Sequence, residues 1–144
     1  MYILSIVIIL FVILESSNIL MLYFFPGTRK GNGMGVFNAY EKSKKDPEVH
    51  AMVNYLINWV AGTKLIFIAL LIVILFTGNE STLLFSVVAL IFSILSFFWR
   101  LFPAIRKMDI NNQITPKGYS KTLGLMISVF IAVFSIALLI YYIQ

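Results

Sequence analysis

Four apolar stretches of about 20 residues or more run through this chain, and each can cross the roughly 30 Å hydrocarbon core of a bilayer as a helix. They cover residues 2–25, 51–76, 82–102 and 120–143, with connecting segments at 26–50 and 103–119. The fold class this implies is an all-α integral membrane protein: a four-transmembrane-helix antiparallel bundle, one membrane domain over residues 1–144. Composition agrees. The chain is 60% hydrophobic and 12% charged, whereas a soluble domain carries roughly 25% charged residues. Nothing remains for a water-soluble domain once the apolar stretches are set aside. The formal net charge of +5 does not indicate a nucleic-acid partner, because the basic residues flank the spans, where they meet anionic headgroups. The lipid bilayer is the expected partner. With no cysteine, disulfides and thiolate metal sites are excluded.

Local signals set the boundaries. Pro26 and Gly27 end the first span. Before that span there is no basic segment, and after it no small-x-small cleavage site, so it is expected to be retained rather than removed as a signal peptide. Asp46-Pro47-Glu48 starts the second helix: Asp46 can cap free amides, proline suits the first helical position, and Glu48 favours the positive end. Thr77, Gly78 and Asn79 close it. The third span is expected to stop before Pro103, and Thr115-Pro116 to open the fourth helix.

Charge placement orients the bundle. Arg29, Lys30, Lys42, Lys44 and Lys45 lie between spans one and two. Arg100, Arg106, Lys107, Lys117 and Lys121 lie at or between the ends of spans three and four. The turn between spans two and three has Glu80 and no basic residue. Both longer loops are therefore expected on the cytoplasmic side, with the termini N-out/C-out. Tyr2, Tyr141 and Tyr142 would form the outer aromatic belt, and Tyr23, Trp59, Trp99 and Phe102 the inner one. The expected location is multi-pass in the plasma (inner) membrane of a prokaryote. In the first loop, Val36, Phe37 and Tyr40 share one helical face, with Glu41, Lys42, Lys44 and Lys45 elsewhere. This segment reads as a short amphipathic helix in the headgroup region or as a solvated loop.

The interior is marked by two charges. At a rise of about 1.5 Å per residue, Glu15 and Lys64 each fall within roughly 3 Å of their span centres, on the cytoplasmic side. Charges at that depth are costly and pair with one another or serve a function. The pair either only sets helix register or belongs to a working site. Asn18 follows Glu15 on the same face, and His50, Asn54 and Asn58 recur every four residues on the second helix. Ser93, Ser96 and Arg100 share a face of the third. Together they would line a polar funnel open to the cytoplasm and ending at Glu15 and Lys64. The candidate ligand- or ion-binding residues are Glu15, Asn18, Asn54, Asn58, Lys64 and Arg100. Plainer roles stand beside these: the asparagines can hydrogen-bond between helices, Arg100 can snorkel to phosphates, and the serines can bond their own helix carbonyls. His50 alone makes no metal site, and no metal or cofactor is expected.

On span four, Gly124, Ser128 and Ala132 form a small-every-fourth stripe that suits close helix approach, within the bundle or in a homo-oligomer. Gly31, Gly33 and Gly35 lack the strand before and the Gly-Lys-Ser/Thr after that a phosphate loop needs, and read as a flexible linker. Asp109-Ile-Asn-Asn-Gln begins like a calcium loop but has neither its glycine nor its closing glutamate. Asn79-Glu80-Ser81 is a glycosylation sequon close to the membrane.

Two architectural resemblances follow. The single carboxylate of the first span, Glu15, is similar to that of the small multidrug-resistance exporters, which are four-span dimers. The likeness stops at that residue, and the first loop here is longer. The length and topology resemble the membrane-associated eicosanoid and glutathione metabolism family, with Arg100 at the inner end of span three. That family's second-helix motif is loosely echoed by His50, Asn54 and Asn58, without its glutamate. The second resemblance implies a membrane enzyme with a cytoplasm-facing pocket, yet no nucleophile, triad or metal cluster stands in the sequence. The expected function is binding or transport of a small anionic or protonatable molecule, or of an ion. The alternatives are a glutathione-transferase-like membrane enzyme and an accessory or assembly subunit.

Overall fold

The computed structural model describes residues 2–143, and these are almost wholly helical. The helices are α1 (Tyr2–Phe24), the short α2 (Asn38–Ser43), α3 (Pro47–Thr77), α4 (Glu80–Leu95), α5 (Phe97–Ile110) and α6 (Tyr119–Ile143). Four helical stretches are long and apolar enough to cross a membrane: α1, α3, α6 and the nearly continuous α4–α5. The chain is in this respect a multi-pass integral membrane protein.

Two helix starts follow local chemistry. Asp46 Oδ1 accepts the Glu48 and Val49 amides at 3.0 and 3.2 Å, with Pro47 in the first turn. Asn79 Oδ1 accepts the Thr82 amide and hydroxyl, each at 2.9 Å, and so caps α4.

The third and fourth spans depart from the expected boundaries. Pro103 does not end a helix; it lies inside α5, which continues to Ile110. The break falls earlier, at Ser96, whose hydroxyl donates to the Ser93 carbonyl at 2.6 Å. Burial of Ile105 and Asp109 holds the last turns of α5 and outweighs the local cost of the proline, about 3 kcal/mol. Nor does Thr115 cap α6. Its amide donates to the Val36 carbonyl at 2.8 Å and its hydroxyl to Asn38 Oδ1 at 2.9 Å, tying it to the first loop instead. The amides at the start of α6 are served from α5. Asp109 Oδ1 accepts from the Gly118 amide at 2.8 Å, and Oδ2 from the Ser120 amide and hydroxyl at 2.9 and 2.6 Å.

Helix α1 touches α3, α4 and α6, while α6 also touches α4 and α5. One apolar cluster joins Leu4, Ile8 and Phe11 of α1 to Leu71 of α3, Val87 of α4 and Phe134 of α6. A second, at the loop end, joins Ile105, Tyr119 and Leu123 to Val36 and Ile114. A third joins Leu22, Tyr40, Ile57 and Ala61. Large side chains such as Ile66, Phe76, Phe85 and Ile143 stand exposed around the bundle, as helices in contact with lipid require.

The first loop is packed. Val36 and Tyr40 are buried in the clusters at the loop end, so the apolar face of the α2 region turns inward. The glycine segment is a tight turn rather than a flexible linker: Met34 and Gly35 amides donate to the Pro26 and Thr28 carbonyls, and a Cβ at Gly35 would overlap the Gly27 carbonyl. Asn38 ties this loop to the second, its amide and Nδ2 donating to the Gln113 and Asn112 carbonyls. On the exposed side of α2, Glu41 hydrogen-bonds Lys44 at 2.9 and 3.0 Å, which raises the ammonium above its ordinary pKa.

Candidate site: a charged pair in a helix seam beside a groove

The site grows out of two stripes. On α1, Leu4, Ile8, Phe11, Ile19 and Leu22 are buried along one face, and with Glu15 in the series each is three or four residues from the next. On α3, Ile57, Ala61, Ile68 and Leu71 are buried at spacings of four and three in turn once Lys64 takes the place between Ala61 and Ile68. The stripes meet where α1 packs on α3. The two charges therefore form one polar layer in an otherwise apolar seam.

The layer is closely bonded. Lys64 Nζ lies 2.7 Å from Glu15 Oε2 and 2.6 Å from Asn18 Oδ1. Asn18 sits one turn beyond Glu15, so both oxygens reach the same ammonium. The two charged side chains are 23% (Glu15) and 28% (Lys64) exposed, which keeps one flank of the layer open. Glu15 Oε1 accepts no hydrogen bond from any described residue.

That open flank meets a groove. Between α1 and α6 runs a recess of about 620 Å³, bordered by Glu15 and Asn18 but not by Lys64. Phe11, Phe130 and Phe134 wall it on one side of the charged layer, and Met21, Gly31 and Asn32 on the other. The lining is mainly apolar. Ser17, also in the wall, spends its hydroxyl on the Ile13 carbonyl at 3.0 Å. At the loop end, Tyr119 donates its hydroxyl to the Gly31 carbonyl at 2.9 Å and so pins the turn that borders the groove.

The other sequence candidates lie elsewhere. Asn54 is half-buried and Asn58 exposed on α3, and neither borders the groove. Arg100 is exposed, its guanidinium 5.9 Å from the Trp99 ring centroid. His50 Nδ1 lies 2.9 Å from Ser43 Oγ, and its ring packs edge-on against Tyr40. Ser43 gives its one proton to the Tyr40 carbonyl at 2.7 Å, which leaves Oγ to accept from His50 Nδ1–H. Among the described residues no three His, Asp or Glu side chains gather as metal ligands would. Gly124 is spent within the subunit, since a Cβ there would come within 2.7 Å of the Phe102 ring. Ser128 and Ala132 are exposed.

Glu15, Asn18 and Lys64 are thus brought together, while Asn54, Asn58 and Arg100 are not. The groove residues on α6 carry no chemical signal and were missed from sequence. The meeting of Glu15 and Lys64 was readable, because the two charges fall at similar depth in neighbouring spans. No family model matches this chain, and neither the curated proteins nor the solved structures contain a match.

Proposed function

We propose that this protein binds, and moves or presents, a small amphipathic molecule taken from the bilayer, held in the α1–α6 groove with Glu15 as its polar contact. One observation carries the reading: a carboxylate near the middle of a span gives one oxygen to Lys64 and borders an apolar groove, with no donor among the described residues for the other. Buried charges in a span act as functional groups by default. The complementary ligand is apolar with a cationic group. A bare anion fits less well, because Lys64 is already engaged by Glu15 and Asn18 and Arg100 stands apart. Such a cation competes with Lys64 for the same carboxylate, and that competition is a physical basis for coupled release. The bundle is taken as antiparallel and N-out/C-out, which the basic loops support. No observation favours the enzyme alternative.

The test is binding of a lipophilic alkylammonium probe to the purified full chain, against an uncharged alcohol of equal chain length. Glu15→Gln is expected to weaken the ammonium at least tenfold and the alcohol little. Equal binding of both probes to both proteins would remove Glu15 from recognition.

The seam position favours a second reading, in which the pair locks helix register and the chain serves as an accessory or assembly subunit. Replacing both charges with methionine separates the two. A stable double variant that keeps its cellular role supports the lock; a stable variant that loses ammonium binding supports the groove.

A further inference from the structure

A second site stands apart from the groove and does not depend on it. The α4–α5 stretch of 31 residues is about 46 Å long, well beyond the hydrocarbon thickness. Its first polar end is the turn at Asn79–Glu80. About 20 residues from Thr82 reach Leu101, so Pro103–Ile110 emerges into the headgroup layer. On that emerging segment a shallow cleft of about 310 Å³ is lined by Phe102, Pro103, Arg106, Lys107 and Ile110. Arg106 and Lys107 are exposed, and neither side chain hydrogen-bonds or ion-pairs with a described residue. The one carboxylate of α5, Asp109, is buried and taken up by the start of α6, so it does not neutralise them. Ile110 is 67% exposed beside the cations.

We propose that this cleft holds the headgroup of an anionic phospholipid. The phosphate would meet Arg106, whose planar fork matches phosphate oxygens, and Lys107. The glycerol and first methylenes would lie on Phe102, Pro103 and Ile110. The pairing of cations with an apolar floor argues for an amphiphile. A free phosphate would use the cations and leave the floor bare. The depth set by helix length, the unneutralised charge and the apolar floor agree on one class of occupant.

The experiment is native mass spectrometry of the full chain released from mild detergent with equimolar phosphatidylglycerol and phosphatidylcholine. The unaltered protein is expected to retain phosphatidylglycerol several-fold over phosphatidylcholine. Arg106→Gln with Lys107→Gln should abolish that preference, whereas Arg29→Gln with Lys30→Gln should keep it. If the first double variant does not fold, Arg106→Gln and Lys107→Gln singly should each lower the ratio. The proposal is overturned if the α5 variants keep the full preference or if the Arg29/Lys30 variant loses as much. Complete displacement of the lipid by millimolar inorganic phosphate would also overturn it, by making the cleft a free-anion site.

Discussion

Lys64 is the residue on which the seam depends. Its ammonium serves two acceptors at once, Glu15 and Asn18, within 2.7 Å. Removing one member of a fully buried pair strands the other charge at a cost of about 3–5 kcal/mol, and less where, as here, the side chains are 23% and 28% exposed, whereas replacing both with apolar groups of similar volume is often neutral or stabilising. Lys64→Met is therefore expected to lower the melting temperature sharply, measured by circular dichroism in mild detergent. Glu15→Met with Lys64→Met should recover most of the loss. A single variant that melts like the unaltered protein would mean that water reaches the layer well enough to solvate the lone carboxylate.

Among the elements, α6 owes its start to another helix. Asp109 collects two amides and a hydroxyl from Gly118 and Ser120 while 5% exposed. Hydrogen bonds to a charged acceptor contribute about 1.5–3 kcal/mol each in mutational series, and loss of a cap costs about 0.5–2 kcal/mol. Asp109→Ala is expected to destabilise by about 2–3 kcal/mol in total, because the freed amides regain water in part. The effect should appear first as faster hydrogen exchange at Ser120 and the following turn, with the α1–α3 seam unaffected. Uniform acceleration through all helices would instead make α6 docking the limiting step for the whole bundle. Thr115-Pro116 looked like the α6 start because cap and proline are local signals. Contact with Val36 and Asn38 took Thr115 away from that role.

At the scale of the whole molecule, the absence of cysteine makes topology directly measurable. Single cysteines at Lys45, Lys117 and Ser81 can be probed with a membrane-impermeant thiol reagent in oriented vesicles. Positions 45 and 117 are expected to react from one side and 81 from the other, with 45 and 117 facing the cytoplasm. Reaction of 45 and 117 from opposite sides would break the four-span topology. Labelling of 81 from the cytoplasm would keep the spans and invert the orientation.

What the sequence by itself determined was set by length, period and short-range chemistry. Four apolar stretches of membrane-crossing length can only be helices in lipid. Asp46-Pro47 fixed one helix start, and the depths of Glu15 and Lys64 made their meeting the cheapest arrangement. Only the tertiary structure decided the rest, since burial is a property of neighbours and not of local sequence. It carried α5 through Pro103 by burying Ile105, brought Asp109 to the head of α6, and folded the glycine segment into a turn closed on Gly27. It also left the open flank of Glu15 toward α6 rather than toward Asn54, Asn58 and Arg100. Helix periodicity marks which face of a span is polar, but which neighbouring helix stands opposite that face depends on packing between elements far apart in the chain.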